Sequence, residues 1–139
     1  MRRILVDTNL VLDVLLDRQP HAEASAAVWA AVESGAAEGL LAAHALTTIH
    51  YLIRKAAGNS KAGKTIKSMM RVFQVAAVDA AVIEDAIQFS FADFEDAVTA
   101  AAASSGGCEF IVTRDTKGFR GSPVSAITPE SALALFAQE

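Results

Sequence analysis

The 139-residue chain is 53% apolar and sets 12 Lys+Arg against 16 Asp+Glu, a formal net charge of −4. Its length suits one domain with an ample core, and its hydrophobicity excludes a disordered chain. A lone cysteine, Cys108, excludes an internal disulfide and a cysteine-built zinc site.

The opening MRRILVDTN holds too short an apolar run for a signal peptide, because Asp7 interrupts it. No uncharged apolar stretch approaches the roughly 18–20 residues of a membrane span, so a soluble cytoplasmic protein is expected. Residues 4–7, ILVD, predict a short buried strand. Leu10, Val11, Val14 and Leu15 follow at helical spacing over 9–17. After Pro20, residues 21–35 predict a helix that Gly35 stops. LLAA (40–43) predicts a second strand. TTIHYLIRKAAG (47–58) and SKAGKTIKSMMRV (60–72) predict two helices, the first closed by Gly58. FQVAAV (73–78) predicts a third strand, with Asp79 as the N-cap of a helix over 80–88. DFEDAVTAAAASSGG (93–107) predicts an alanine-rich helix ending at Gly106 and Gly107. EFIVT (109–113) and VSAIT (124–128) predict the last strands, and Pro129 opens a final helix.

Strands alternating with helices predict a single α/β domain over 1–139, three layers with a parallel sheet between helices. In such sheets, sites form outside the carboxyl ends of the strands, where the strand order reverses. Two predicted strands end in acid, ILVD at Asp7 and FIVT-R-D at Asp115. Asp93 and Asp96 share one face at the start of an intervening helix. Gathered carboxylates repel one another unless they take up protons or a cation. An oxygen-only set favours Mg²⁺ or Mn²⁺ over zinc, and such a metal supports phosphodiester hydrolysis without a covalent nucleophile. Each acid also has a plain structural use: Asp7 and Asp93 as N-caps, Asp96 as a complement to the helix dipole, Asp115 as a turn residue before Gly118. Three rival chemistries fit less well. A haloacid-dehalogenase-like phosphatase needs a second Asp where Asn9 stands. A receiver domain needs a phospho-acceptor Asp that neither LLAA nor FQVAAV supplies, and no glycine-rich phosphate loop is present.

VDTNLVLDVLL, DFEDAVTAAAA and FIVTRDTKGF, in that order, resemble the PIN-domain family. AHALTTIHYLIRK and SPVSAITPESAL are similar to a bacterial subgroup of it. Many bacterial members are VapC-type toxins, metal-dependent ribonucleases inhibited by a partner antitoxin. The resemblance implies a parallel sheet in the order 3-2-1-4-5, with metal-binding, catalytic acids at Asp7, Asp96 and Asp115. It implies supporting roles for Asn9 and Thr113, which would orient the acids or a water on the metal. PIN nucleases usually carry a further acid in the helix after the second strand, whereas this chain has no acid between Glu38 and Asp79. Thr48 stands in the vacated position, and Asp93 is the candidate to supply the missing charge to the metal. The function implied is a Mg²⁺- or Mn²⁺-dependent endoribonuclease, the toxin of a toxin–antitoxin pair. The alternative is a weakened or inactive PIN-like module that binds RNA or a partner protein.

Residues 54–71 hold Arg54, Lys55, Lys61, Lys64, Lys67 and Arg71, half of the chain's cations, with no acid among them. Lys64, Lys67 and Arg71 share a helix face, and Arg114, Lys117 and Arg120 cluster around Asp115. These are either a solvated surface or an electrostatic track for an RNA backbone, which acts locally whatever the net charge. An acidic partner surface would fit them equally well. His21, His44 and His50 lack metal-ligand spacing and are expected in structural or surface roles. Trp29 and Tyr51 are expected at core or dimer contacts, and Cys108 as a small buried hydrophobe. The alanine-rich helices and the family together imply a homodimer.

Overall fold

The computed structural model describes residues 1–138, so the expected 1–139 domain reaches one residue, Glu139, outside the described residues. Five strands form one all-parallel sheet: β1 Arg3–Val6, β2 Glu38–Ala42, β3 Gln74–Ala76, β4 Phe110–Val112 and β5 Ser125–Ile127. Their order is β3-β2-β1-β4-β5, as the resemblance implies. Parallel strands covered on both faces read as continuous apolar runs, which is why ILV and FIV stand out in the sequence. Alternation along β1 sends Ile4 and Val6 to one core and Leu5 to the other. The first core packs α1 (Thr8–Leu15), α2 (Ala22–Glu33), α3 (Ala43–Ala57), α4 (Asn59–Val72) and α7 (Pro129–Ala137) on one face of the sheet. The second packs α5 (Ala80–Gln88) and α6 (Phe94–Ser105) on the other. On α6 Ala97 and Ala100 to Ala103 are all buried, so the alanine run makes a close-packed central helix.

Two boundaries bear on function. Helix α3 begins at Ala43, a full turn before the expected Thr47. The chain passes from β2 into α3 through Ala42, which has an extended backbone and makes no side-chain cap hydrogen bond. With no Ser, Thr, Asp or Asn at the true cap, the sequence signal points to Thr47 instead. The earlier start puts His44 into the first turn. At the other end Gly58, with φ +91°, turns the chain from α3 into α4, a conformation glycine adopts without strain.

Trp29 packs edge-on against Phe73, ring centres 5.2 Å apart, as a core residue. Cys108 is buried, and burial pushes its thiol up to about 11. Tyr51 is not in the core. It is 49% exposed, with Arg54 and Lys55 at 5.5 and 5.8 Å from its ring centre. Among the described residues, no helix is long and apolar enough to cross a membrane.

Candidate active site

From β1 the sheet grows through β2 and β3 on one side, while β4 returns to the other side of β1 and β5 extends it. The crevice at the carboxyl ends of β1 and β4 is therefore the switch point. Asp7 follows β1 directly, and its amide donates to the Val112 carbonyl at 3.0 Å. The Asp7 residue is 6% exposed, and its Oδ2 accepts from the Thr113 hydroxyl at 2.9 Å. That hydroxyl oxygen in turn accepts the Asp115 amide at 3.1 Å. Buried Thr113 thus fixes Asp7 and the start of the Asp115 turn relative to each other. Asp7 stands at the N-cap position of α1 but makes no side-chain cap bond there.

Asp93 does cap its helix: Oδ1 accepts the Asp96 amide at 3.2 Å. Capping and crowding coexist, because side-chain oxygens of Asp93, Glu95 and Asp96 lie within 4.8 Å of one another. Asp115 precedes a 3-10 turn, Thr116–Phe119, that folds Gly118 against the acids. A Cβ on Gly118 would lie 3.0 Å from Asp96 Oδ2 and 3.4 Å from Asp115 Oδ2. Those two carboxylates therefore flank one point, and the missing side chain lets the backbone approach them.

The electrostatics follow from this crowding. Burial pushes Asp7 up to about 6, against the Thr113 hydrogen bond and with the help of the Glu95 charge. Desolvation and the charges of Asp93, Glu95 and Asp7 push Asp96 up to about 7. Glu95 moves the other way, held below the usual carboxylate range mainly by its hydrogen bond with His44. Asp7, Asn9, Thr48, Asp93 and Glu95 line a cleft of about 330 Å³, with Leu12, Leu52 and Arg18 on its walls. A cleft of about 390 Å³ lies elsewhere, between α2 and the start of α7, and its lining contains one carboxylate, Glu130. The acids converge at the switch point and not at this larger cleft.

Asn9 and Thr48 are exposed at the cleft, Asn9 Oδ1 accepting from Arg18 at 3.4 Å. Arg54, Lys55, Lys61, Lys64, Lys67, Arg71 and Lys117 are all exposed. Arg114, also expected on the RNA surface, is exposed but ion-paired. Its Nε and Nη2 donate to Asp13 Oδ2 and Oδ1 at 2.9 and 3.1 Å. Asp13 is 0% exposed and also accepts from the Ser25 hydroxyl at 3.2 Å. The guanidinium is thus the main charge partner of a buried carboxylate whose other cation, Arg18, stands farther off at 4.0 Å.

The sequence did not single out Glu95, Asp13 or Arg18, and it gave His44 a structural or surface role rather than a contact at the site. Glu95 sits between two acids of helix-face spacing, Asp93 and Asp96, and His44 precedes the expected start of its helix. Asp13 did leave a signal, a single acid inside the apolar run LVLDVLL.

The donor set is all oxygen, crowded, partly desolvated, and closed on one side by the Gly118 backbone. It fits a hard divalent cation such as Mg²⁺ or Mn²⁺. A 3-2-1-4-5 parallel sheet with carboxylates gathered at its switch point defines an α/β domain of acid-site type. A family model described as PIN domain matches residues 3–117, and the chain belongs to the PIN-domain family. It is 24% identical to Ribonuclease VapC1 of Aquifex aeolicus (strain VF5) over 133 residues, 92% of this chain and 91% of that one. Its fold is similar to VapBC2 from Rickettsia felis bound to a promoter DNA fragment, with TM-score 0.70 and 11% identity over 91% of this chain and 98% of that chain. It is also similar to a toxin-antitoxin complex from Klebsiella pneumoniae, with TM-score 0.68 and 19% identity over 91% and 97% of the two chains.

Proposed function

We propose that this protein is a metal-dependent endoribonuclease, the toxin of a toxin–antitoxin pair, with Asp7, Asp96 and Asp115 holding Mg²⁺ or Mn²⁺. The observation that carries the proposal is the set of mutually repelling carboxylates, Asp7 buried among them, at the switch point of a PIN-family sheet. Similarity to a protein named a ribonuclease and to a toxin-antitoxin complex supports it. A bound divalent cation supplies charge neutralisation on the phosphate and lowers the pKa of a coordinated water. The chain's own residues do the rest. Asp7, Asp96 and Asp115 present carboxylates, and Thr113 holds Asp7 Oδ2 and the Asp115 backbone in place. Asn9, at the cleft, is placed to orient a water or a phosphate oxygen.

Helix α3 leads from the cleft toward the cations. Thr48, Leu52 and Lys55 share one face, and Lys55 lies about 10 Å along the helix from Thr48. The exposed Arg54, Lys55, Lys61, Lys64, Lys67 and Arg71 then form a track for the RNA backbone, with Lys117 beside Asp115. A cellular RNA substrate would agree with a cytoplasmic protein. The antitoxin seat is the groove of about 320 Å³ between α2 and α4, with Leu15, Trp29 and Met69 below and Lys61 and Lys64 beside them. That combination suits an acidic amphipathic segment of the partner. A homodimer would not use the α6 alanines, which are buried within one copy. Its surface would come from exposed apolar residues such as Met70 and Ile87.

Purified protein should cleave RNA in Mn²⁺ or Mg²⁺. EDTA or Asp7→Asn should lower the rate by more than about a hundredfold, beyond the loss typical of groups that merely support a ligand. Cleavage surviving both changes would overturn the proposal. One observation favours a non-cleaving RNA-binding module instead: α3 brings Thr48, not an acid, to the cleft. Under that alternative, RNA binds with a steep salt dependence and stays intact.

A further inference from the structure

Where α3 meets the cleft it offers Thr48 and Leu52, neither of which can carry charge to a cation. One turn earlier, His44 reaches across to α6. Its Nε2 lies 3.1 Å from Glu95 Oε1 and 3.3 Å from the hydroxyl of Thr99, a residue only 2% exposed. The Thr99 hydroxyl also lies 3.3 Å from Glu95 Oε1 and 3.0 Å from the Glu95 carbonyl. A glutamate in the first turn of a helix ordinarily keeps its rotamer freedom in solvent. Glu95 does not: two side chains, from two different helices, hold one of its oxygens. The other ring nitrogen, Nδ1, is buried without a hydrogen-bond partner, so Nε2 makes the polar contacts of the ring. Glu95 also shares the cleft lining with Asp7, and its carboxylate falls within 4.8 Å of those of Asp93 and Asp96.

We propose that Glu95, clamped by His44 and Thr99, is the fourth carboxylate of the metal site, supplied from α6 where α3 presents Thr48. His44 and Thr99 act as positioning residues, fixing the direction of the Glu95 carboxylate as outer groups do for metal ligands generally. This inference rests on the metal-dependent reading above. It makes Glu95, rather than the capping residue Asp93, the acid that completes the set.

The test is a Mn²⁺ titration followed by calorimetry and by thermal unfolding, which reads metal binding without RNA or turnover. Glu95→Gln should raise the half-saturating Mn²⁺ concentration roughly tenfold or more. His44→Ala should raise it by a smaller factor, and His44→Gln, which keeps an N–H donor, should recover most of that loss. Adding Thr48→Glu to Glu95→Gln should restore binding, since both positions line one cleft. A double variant no better than Glu95→Gln would overturn the ligand role, because the missing charge would then not be what matters. His44→Ala with wild-type Mn²⁺ binding would overturn the clamp. Asp7→Asn separates the two levels of inference. If Asp7→Asn abolishes Mn²⁺ binding while Glu95→Gln stays within about twofold of wild type, the Glu95 assignment alone fails. If neither variant changes binding, the metal-site reading fails with it.

Discussion

Asp7 and Asp13 flank the first turns of α1 and are both withdrawn from water, at 6% and 0% exposure, yet the fold answers their charges differently. Asp13 receives two hydrogen bonds from Arg114 and one from Ser25, with Arg18 at 4.0 Å. Asp7 receives the Thr113 hydroxyl and faces the further negative charge of Glu95. The paired acid pins α1 and α2 to the segment after β4; the other is the one the proposed function gives to a bound cation. Arg114 and Asp115 are adjacent in the chain, so the pin also positions one of the site's own acids.

Breaking the pin should have the largest effect. Arg114→Met leaves Asp13 with only Ser25 and the more distant Arg18, and should cost about 3 kcal/mol in urea unfolding, the lower end for a broken buried pair. Adding Asp13→Leu should recover most of that loss; if it does not, the pair is more than a pin. At the other aspartate, Mn²⁺ at a hundred times its dissociation constant should stabilise the protein by about 2.7 kcal/mol, reversed by EDTA. Asp7→Asn should remove that response and, without metal, should stabilise by roughly 1–2 kcal/mol, below the ceiling of about 3 kcal/mol set by the displacement of Asp7 to about 6. Asp13→Asn should destabilise, and the opposite signs are the point to check.

The pH dependence carries the same sign. Folded Asp7 and Asp96, at about 6 and about 7, keep protons that the unfolded chain has already lost. Their contribution to stability is full below about pH 4 and disappears as pH rises through 6 to 7. Metal-free wild type should therefore lose more stability between pH 4 and 8 than Asp7→Asn does, and equal slopes would contradict the assignment. The smallest effect is expected from Thr113→Val, about 1 kcal/mol for one buried hydrogen bond, together with slower RNA cleavage.

The fold was legible because its strands are apolar runs and its helices carry strong punctuation at Gly35, Gly58, Asp79 and Pro129. Asp7 was legible for the same reason, since a charge directly after a buried run is conspicuous, and Asp115 because only Arg114 separates it from FIVT. His44 was not, because α3 starts on alanines with no capping side chain. Nor was the fate of Arg114, whose partner Asp13 is about 100 residues away in sequence. Pairing between distant residues leaves no local pattern, so a cation beside an acid could be read only as surface charge.

The most direct measurement is anomalous scattering from crystals soaked in millimolar Mn²⁺. A peak within coordination distance of Asp7, Asp96 and Asp115, and none beside Asp13, is the predicted result. Crystals that bind Mn²⁺ elsewhere while those three carboxylates stay bare would contradict it.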